Sequence, residues 1–287
     1  MTVPGLLKNW INKGINPFNM NLTSLTAERA EAARLLALEH SGHFTQPIFP
    51  LLPQFARCDP TPVLEAVKRF KSSTKRFSGP RTVNEYSFSN DYFTSPDAEV
   101  AYAWVQQLKP RHIVEVGSGN STKLFREAIT DGKLSTKLVS IDPSPRNPID
   151  SIADRVIKQR LEQVSSSFFN ELLNHDDILF IDSSHEIQIG NDVLSLLLNI
   201  VPALKSGVVI HIHDIFLPFD YPHQWIVVNK WDYLKEQYLV QAMLQDSDKY
   251  DVIWPGHFLQ RTLPNFLSHF CVQPHHFAAS LWLRKRG

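Results

Sequence analysis

The residues able to do chemistry in this chain sit at the ends of short apolar runs. Ile113-Val114-Glu115-Val116 runs into Gly117-Ser118-Gly119, and an amphipathic pattern with Leu124, Phe125 and Ala128 on one face follows. A strand, a glycine turn and a helix N-terminus let a ligand lie against bare backbone N–H groups. Asp142 ends the next apolar run (Leu138, Val139, Ile141), 23 residues past Gly119, where a ribose-binding carboxylate sits in a nucleotide-binding unit. Glu115 is a charge at the end of a buried strand, suited to the positive end of a ligand. Thr122 stands where a dinucleotide fingerprint wants a third glycine, which disfavours a nicotinamide cofactor.

A second constellation follows. Ile178-Leu179-Phe180-Ile181 ends in Asp182, with His185 three residues on, and Val208-Val209-Ile210-His211-Ile212 ends in His213-Asp214. In an open α/β sheet, polar residues at the C-terminal ends of the strands face the ligand crevice. Carboxylates with an imidazole suit a divalent cation, here expected on Asp182, His213 and Asp214. A neutral histidine can instead remove a hydroxyl proton, the role expected of His185 with Asp182 and Asp214 beside it. His211 lies further inside its strand and reads as a structural polar residue.

The elements that must position these groups are legible from Ser95 onward. Ser95-Pro96-Asp97 reads as a helix start, with a capping hydroxyl, an early proline and an acid at the positive dipole end. Strands are predicted at 112–116, 138–142, 155–161, 178–182, 208–213, 250–254 and 278–283, and helices near 121–130, 166–174, 190–204 and 229–245. Such alternation predicts an α/β, doubly wound, mostly parallel sheet. Residues 1–94 lack a strand order and read as a helical cap, with helices at 24–40 and 62–70 around the proline-punctuated stretch 47–53; the domain proper is 95–287.

The stretch 115–119 with Asp142 resembles the first two motifs of class I S-adenosylmethionine-dependent methyltransferases. That resemblance implies a Rossmann-like fold of seven strands. It also implies S-adenosyl-L-methionine as cofactor, held by Glu115, Gly117, Ser118, Gly119, Ser121, Asp142 and Asp182. The stretches 115–122, 180–185, 211–222 and 236–239, within residues 97 to about 254, are similar to a large group of bacterial methyltransferases. More distantly, Asp182-x-x-His185 followed by His213-Asp214 is similar to metal-dependent macrolide sugar O-methyltransferases. There the first Asp and a later Glu-Asp pair bind magnesium and the His is the base. His213 replaces that Glu here; magnesium prefers oxygen, whereas imidazole suits manganese, iron or zinc, so the divalent metal expected is magnesium, manganese or another.

Composition bounds the function. The 287 residues hold 43% hydrophobic and 20% charged residues, as a globular protein with a sizeable core does. Lys+Arg and Asp+Glu balance at 29 each, and no polybasic block precedes Arg284-Lys285-Arg286, so a nucleic-acid partner is not expected. Cys58 and Cys271 define neither a disulfide framework nor a metal spacing. No secretory signal or membrane-length run is visible, and the cytoplasm is the expected compartment. Leu6, Leu7, Trp10 and Ile11 form a short amphipathic turn expected to pack on the protein rather than on a membrane.

The expected partner is a small-molecule acceptor, with homo-oligomerisation left open. The reaction expected is O-methylation of a sugar or natural product, because an alcohol needs the base that His185 offers. A nitrogen acceptor would need less of this apparatus. A metal-dependent hydrolase would leave Glu115, the glycine turn and Asp142 without a role; a cofactor-binding module without catalysis would leave His185 without one.

Overall fold

The computed structural model describes residues 5–20, 25–146, 148–231, 233–271 and 277–287. Their packing divides the chain into two compact units, 1–46 with 222–231, and 47–221 with 232–287.

The smaller unit contains helices α1 (Gly5–Ile15) and α2 (Thr26–His40), and a π-type turn at Gln224–Val228. Ser24, the expected start of α2, lies outside the described residues. No residue of α2 is buried, so its predicted apolar face is not a core face. Leu7, Trp10 and Ile11 of α1 are also exposed, and the side chain of Leu6 lies outside what is described. Within this unit His223 approaches Glu39 to 3.0 Å and Phe44 packs edge-on against the His223 ring.

The larger unit is built on one sheet. Its elements are α3 (Thr61–Lys75), α4 (Asp97–Leu108), β1 (His112–Val116), α5 (Asn120–Asp131), β2 (Lys137–Ile141), β3 (Arg155–Ile157), α6 (Ser166–Leu172), β4 (Ile178–Ile181), β5 (Val209–Ile212), α7 (Glu236–Leu244), β6 (Tyr250–Pro255) and β7 (Leu281–Lys285). Between β4 and β5 a helical stretch runs over 192–203, with π-type bonding at Ser195–Ile200. The strand order is β3-β2-β1-β4-β5-β7-β6, and β7 runs antiparallel to both neighbours. The sheet is seven-stranded, mostly parallel and Rossmann-like, as expected.

Alternate residues of each strand feed two cores, as the pleat requires. Val114, Val116, Leu179, Ile181, Ile210 and Ile212 point to one side, with Phe169 and Val240 from the helices there. Ile113, Leu138, Ile178, Phe180 and Trp282 point to the other, with Ala101, Val105, Phe125 and Ala128. Val63, Val67, Phe77, Tyr86 and Phe93 belong to that second core. Packing therefore joins residues 47–94 to the sheet, and the two compact units divide at 46/47.

β3 ends at Ile157 rather than 161, and three further differences from the sequence reading have identifiable reasons. β7 begins at Leu281 rather than 278, because the N–H groups of Ala279 and Ser280 donate to the Asp97 carboxylate (2.8 and 3.2 Å). Asp97 is therefore a buried acceptor and not a dipole partner alone. The Ser95 hydroxyl donates to Glu99 (2.8 Å) instead of capping α4. α7 starts at Glu236, not 229; the N–H of Lys235 donates to the carbonyl of His185 (2.9 Å), which ties the preceding segment to the end of β4. Both cysteines are free and partly buried. Among the described residues no helix is long and apolar enough to cross a membrane.

Candidate active site

β1 ends at Val116, and Gly117 turns the chain with φ +81°. A Cβ at this position would lie 1.8 Å from the carbonyl oxygen of Asp182. The N–H of Asp182 in turn donates to the carbonyl of Val116 (3.0 Å). Gly117 is thus required by the close approach of β1 and β4, rather than by the path of a ligand alone. The Ser118 N–H and hydroxyl both donate to Asp142 Oδ2 (2.9 and 2.8 Å), and the Ser144 N–H donates to Oδ1 (2.8 Å). Gly117, Ser118, Gly119 and Asp142 are all partly exposed on this edge.

Glu115 does not face the crevice. Its carboxylate accepts the hydroxyls of Ser121, Thr122 (2.5 Å) and Ser140 (3.0 Å), and the residue is fully buried. Ser121 is buried with it. Both were expected at the cofactor, and the structure instead binds them to each other inside the fold. The reason is energetic: a carboxylate removed from water needs donors, and three hydroxyls supply them. Burial still pushes the Glu115 carboxyl up to about 7, against the pull of those hydroxyls. Thr122 also accepts the N–H of Gly119 (3.0 Å). The residue that breaks the dinucleotide fingerprint therefore fastens the glycine turn to the helix start.

The segment before α4 meets this turn. Asn90 Oδ1 accepts the N–H groups of Tyr92 and Phe93 (3.0 and 2.8 Å) and the amide of Asn120 (3.1 Å), the first residue of α5. The Arg146 guanidinium lies 5.0 Å from the centre of the Tyr92 ring, which links this segment to the stretch after Asp142.

His185 and Asp214 both have positive φ (61° and 57°), an uncommon conformation that collects at functional sites. His185 Nδ1 is hydrogen-bonded to Glu236, the first residue of α7. On its other side Nε2 lies 3.2 Å from Asp182 Oδ1 and 3.7 Å from Asp214 Oδ2. Three carboxylates thus surround one imidazole. Burial alone would lower the His185 pKa, but Glu236, Asp182 and Asp214 outweigh it and raise it well above the ordinary value. Burial likewise raises the carboxyls of Asp214 and Glu236. Asp182 goes the other way, since His213 and His185 overcome its burial.

His213 Nε2 stands 3.6 Å from Asp214 Oδ1, its ring packs against Phe93, and its buried Nδ1 has no hydrogen-bond partner. His211 stacks on Phe180 at 3.9 Å and meets the Ser280 hydroxyl at 2.9 Å, which makes it structural as expected. A cation was expected on Asp182, His213 and Asp214, and no such site is shown. Among the described residues no group of three or more His, Cys, Asp or Glu is arranged to hold a metal ion. The imidazole of His185 stands beside Asp182 and Asp214.

The aromatic stretch after Asp214 is fastened to the larger unit. Phe216, Leu217, Phe219 and Tyr221 are buried. The Phe216 N–H donates to Gln237 Oε1 (3.0 Å), and the carbonyl of Pro218 accepts the N–H groups of Ile48 and Phe49 (2.9 and 3.0 Å).

Sequence reasoning located Asp182, His185, His213 and Asp214, and the structure brings all four together. It missed Glu236 as a member of the site. The only signal was the stretch 236–239, noticed as a resemblance and given no role.

Residues 114–215 match the model of a family described as a methyltransferase domain. The matched residues span the glycine turn, Asp142, Asp182, His185 and Asp214. The comparison with curated proteins gives no match. Among solved structures the chain is similar to the O-methyltransferase TomG from Streptomyces achromogenes, involved in tomaymycin synthesis and solved with S-adenosylmethionine. Identity is 12% and the TM-score 0.43, covering 78% of this chain and 90% of that one. An O-methyltransferase from Bacillus cereus, in complex with S-adenosylhomocysteine, is 14% identical, with a TM-score of 0.45 and coverage of 78% and 91%. The Podospora anserina methyltransferase PaMTH1, bound to S-adenosylhomocysteine, is 13% identical, with a TM-score of 0.43 and coverage of 93% and 100%.

Proposed function

We propose that this chain transfers the methyl group of S-adenosylmethionine to a hydroxyl oxygen of a small molecule, a sugar or natural product. The observation that carries the reading is His185, with carboxylates at both ring nitrogens, on the same sheet edge as the glycine turn and Asp142. The residues present suit the cofactor. The turn and Asp142 are partly exposed together, and the buried hydroxyl of Ser183, next to Asp182, has no hydrogen-bond partner. Ser118, Gly119 and Asp142 would hold the cofactor, while Glu115 supports them from beneath. When bound, it supplies a methyl group already activated on a sulfonium.

The protein's own task is then alignment and proton removal. With its Nδ1 proton donated to Glu236, His185 presents Nε2 as the acceptor atom. A proton leaving the acceptor hydroxyl moves to Nε2, and the imidazolium formed faces Asp182 and Asp214. The same carboxylates that stabilise this product hold the proton before the reaction, so the active neutral form is favoured at raised pH.

Calorimetric titration with S-adenosylmethionine and with NADH tests the cofactor, and methyl gain on candidate metabolites, read by mass spectrometry, identifies an acceptor. His185→Ala should retain cofactor affinity and lose roughly 10²–10⁴ in rate, the usual share of a general base. Binding of NADH alone would refute the cofactor reading. A His185→Ala rate within a few-fold of the parent, at saturating acceptor, would assign proton removal elsewhere.

A further inference from the structure

We propose that α1 (Gly5–Ile15) is an interfacial helix that docks the protein on an anionic membrane surface. Three of its apolar side chains face solvent: Trp10 is 80% exposed, Leu7 52% and Ile11 37%. At about 100° per residue, these three positions span an arc of roughly 100° on one side of the helix. On the same count, Lys8 falls roughly 60° beyond Ile11 and Lys13 roughly 60° beyond Trp10. The apolar arc therefore has a cation on each shoulder, the arrangement of a helix lying in the plane of a lipid surface. Aromatic and aliphatic side chains enter the boundary of headgroups and acyl chains, and the lysines reach the anionic headgroups.

Charge decides between occupants. The first acidic residue of the chain is Glu28, so nothing in residues 1–27 answers Lys8 and Lys13. A symmetric pairing of two copies through this helix would set the lysines of one against those of the other with no acid between them. An anionic lipid surface complements both the apolar arc and its cationic shoulders. The chain is neutral overall, with 29 basic and 29 acidic residues, so the attraction is local to this helix. Eleven residues are too few to span a bilayer, which needs about 20, so the helix lies on the surface and the association is reversible.

Co-sedimentation of the full chain with vesicles tests this, using phosphatidylcholine alone and phosphatidylcholine mixed with phosphatidylglycerol, at low and high salt. The protein should pellet with the mixed vesicles, less at high salt, and poorly with phosphatidylcholine alone. Trp10→Ala should weaken binding at least about tenfold, as expected for an apolar anchor. Lys8→Gln and Lys13→Gln should each weaken it roughly fivefold. All three positions avoid the core, so thermal melting should be unchanged and serve as the folding control. Failure to pellet with either vesicle overturns the proposal, as does equal pelleting of parent and Trp10→Ala. A molecular mass by light scattering that halves in Trp10→Ala would assign the face to a second copy and overturn it too. None of these outcomes depends on the methyltransferase reading.

Discussion

His185 Nδ1 is hydrogen-bonded to the carboxylate of Glu236, a residue 51 positions further along the chain and almost fully buried. Helix α7 begins at that glutamate and His185 follows the end of β4, so the bond fastens the two elements together. Nδ1 faces Glu236, and Nε2 faces Asp182 and Asp214.

The pH dependence follows from this bond. The His185 pKa is raised well above its ordinary value, because Glu236, Asp182 and Asp214 outweigh burial. The pairing stabilises the fold fully below about 6.5, the unfolded value, and that contribution is lost as pH rises through the folded value. Turnover, which needs the neutral ring, should rise over the same upper window. Glu236→Gln should move the inflection of the rate profile down toward 6.5 while the parent stays above it. A parent inflection at or below 6.5, or an unmoved inflection in Glu236→Gln, would show that the dyad does not set the base.

Asp142 and Glu115 should separate cleanly by mutation. Asp142→Ala should weaken S-adenosylmethionine binding by about 1–3 kcal/mol, the cost of unmade hydrogen bonds, with little change in melting. Glu115→Ala should do the reverse, since it strands the hydroxyls of Ser121, Thr122 and Ser140 and lowers stability by a similar amount. The folded Glu115 carboxyl lies near 7, above its unfolded value of about 4.3, so its burial destabilises the fold progressively as pH climbs between those values. Glu115→Gln should flatten that part of the stability profile. Calorimetry for affinity and denaturant titration for stability make the comparison; a Glu115→Ala variant of parental stability would contradict the inward-facing assignment.

Gly117→Ala should destabilise the fold by more than about 2 kcal/mol, combining left-handed strain with a backbone clash. The added Cβ would meet the Asp182 carbonyl oxygen at 1.8 Å, and neither backbone can yield without separating β1 from β4. Chemical denaturation of the two proteins measures the difference. Equal midpoints would mean that the turn relaxes and that β1 and β4 need not approach so closely.

The sequence by itself determined the alternation of strands and helices from 95 onward, and with it the edge on which Gly117, Asp142, Asp182, His185 and Asp214 emerge. These features are local: apolar periodicity, a glycine where φ must be positive, and polar residues where a buried run ends. Tertiary structure decided which way the polar groups face and what answers them. Glu115 turned inward because three hydroxyls from α5 and β2 were there to receive it. His185 acquired its raised pKa from Glu236, a partner visible only once α7 packs against the end of β4. β7 started late because Asp97 claimed the N–H groups of Ala279 and Ser280 across 182 and 183 positions. In each case a buried polar group takes the donor or acceptor that packing brings to it, and no spacing along the chain announces which one that is.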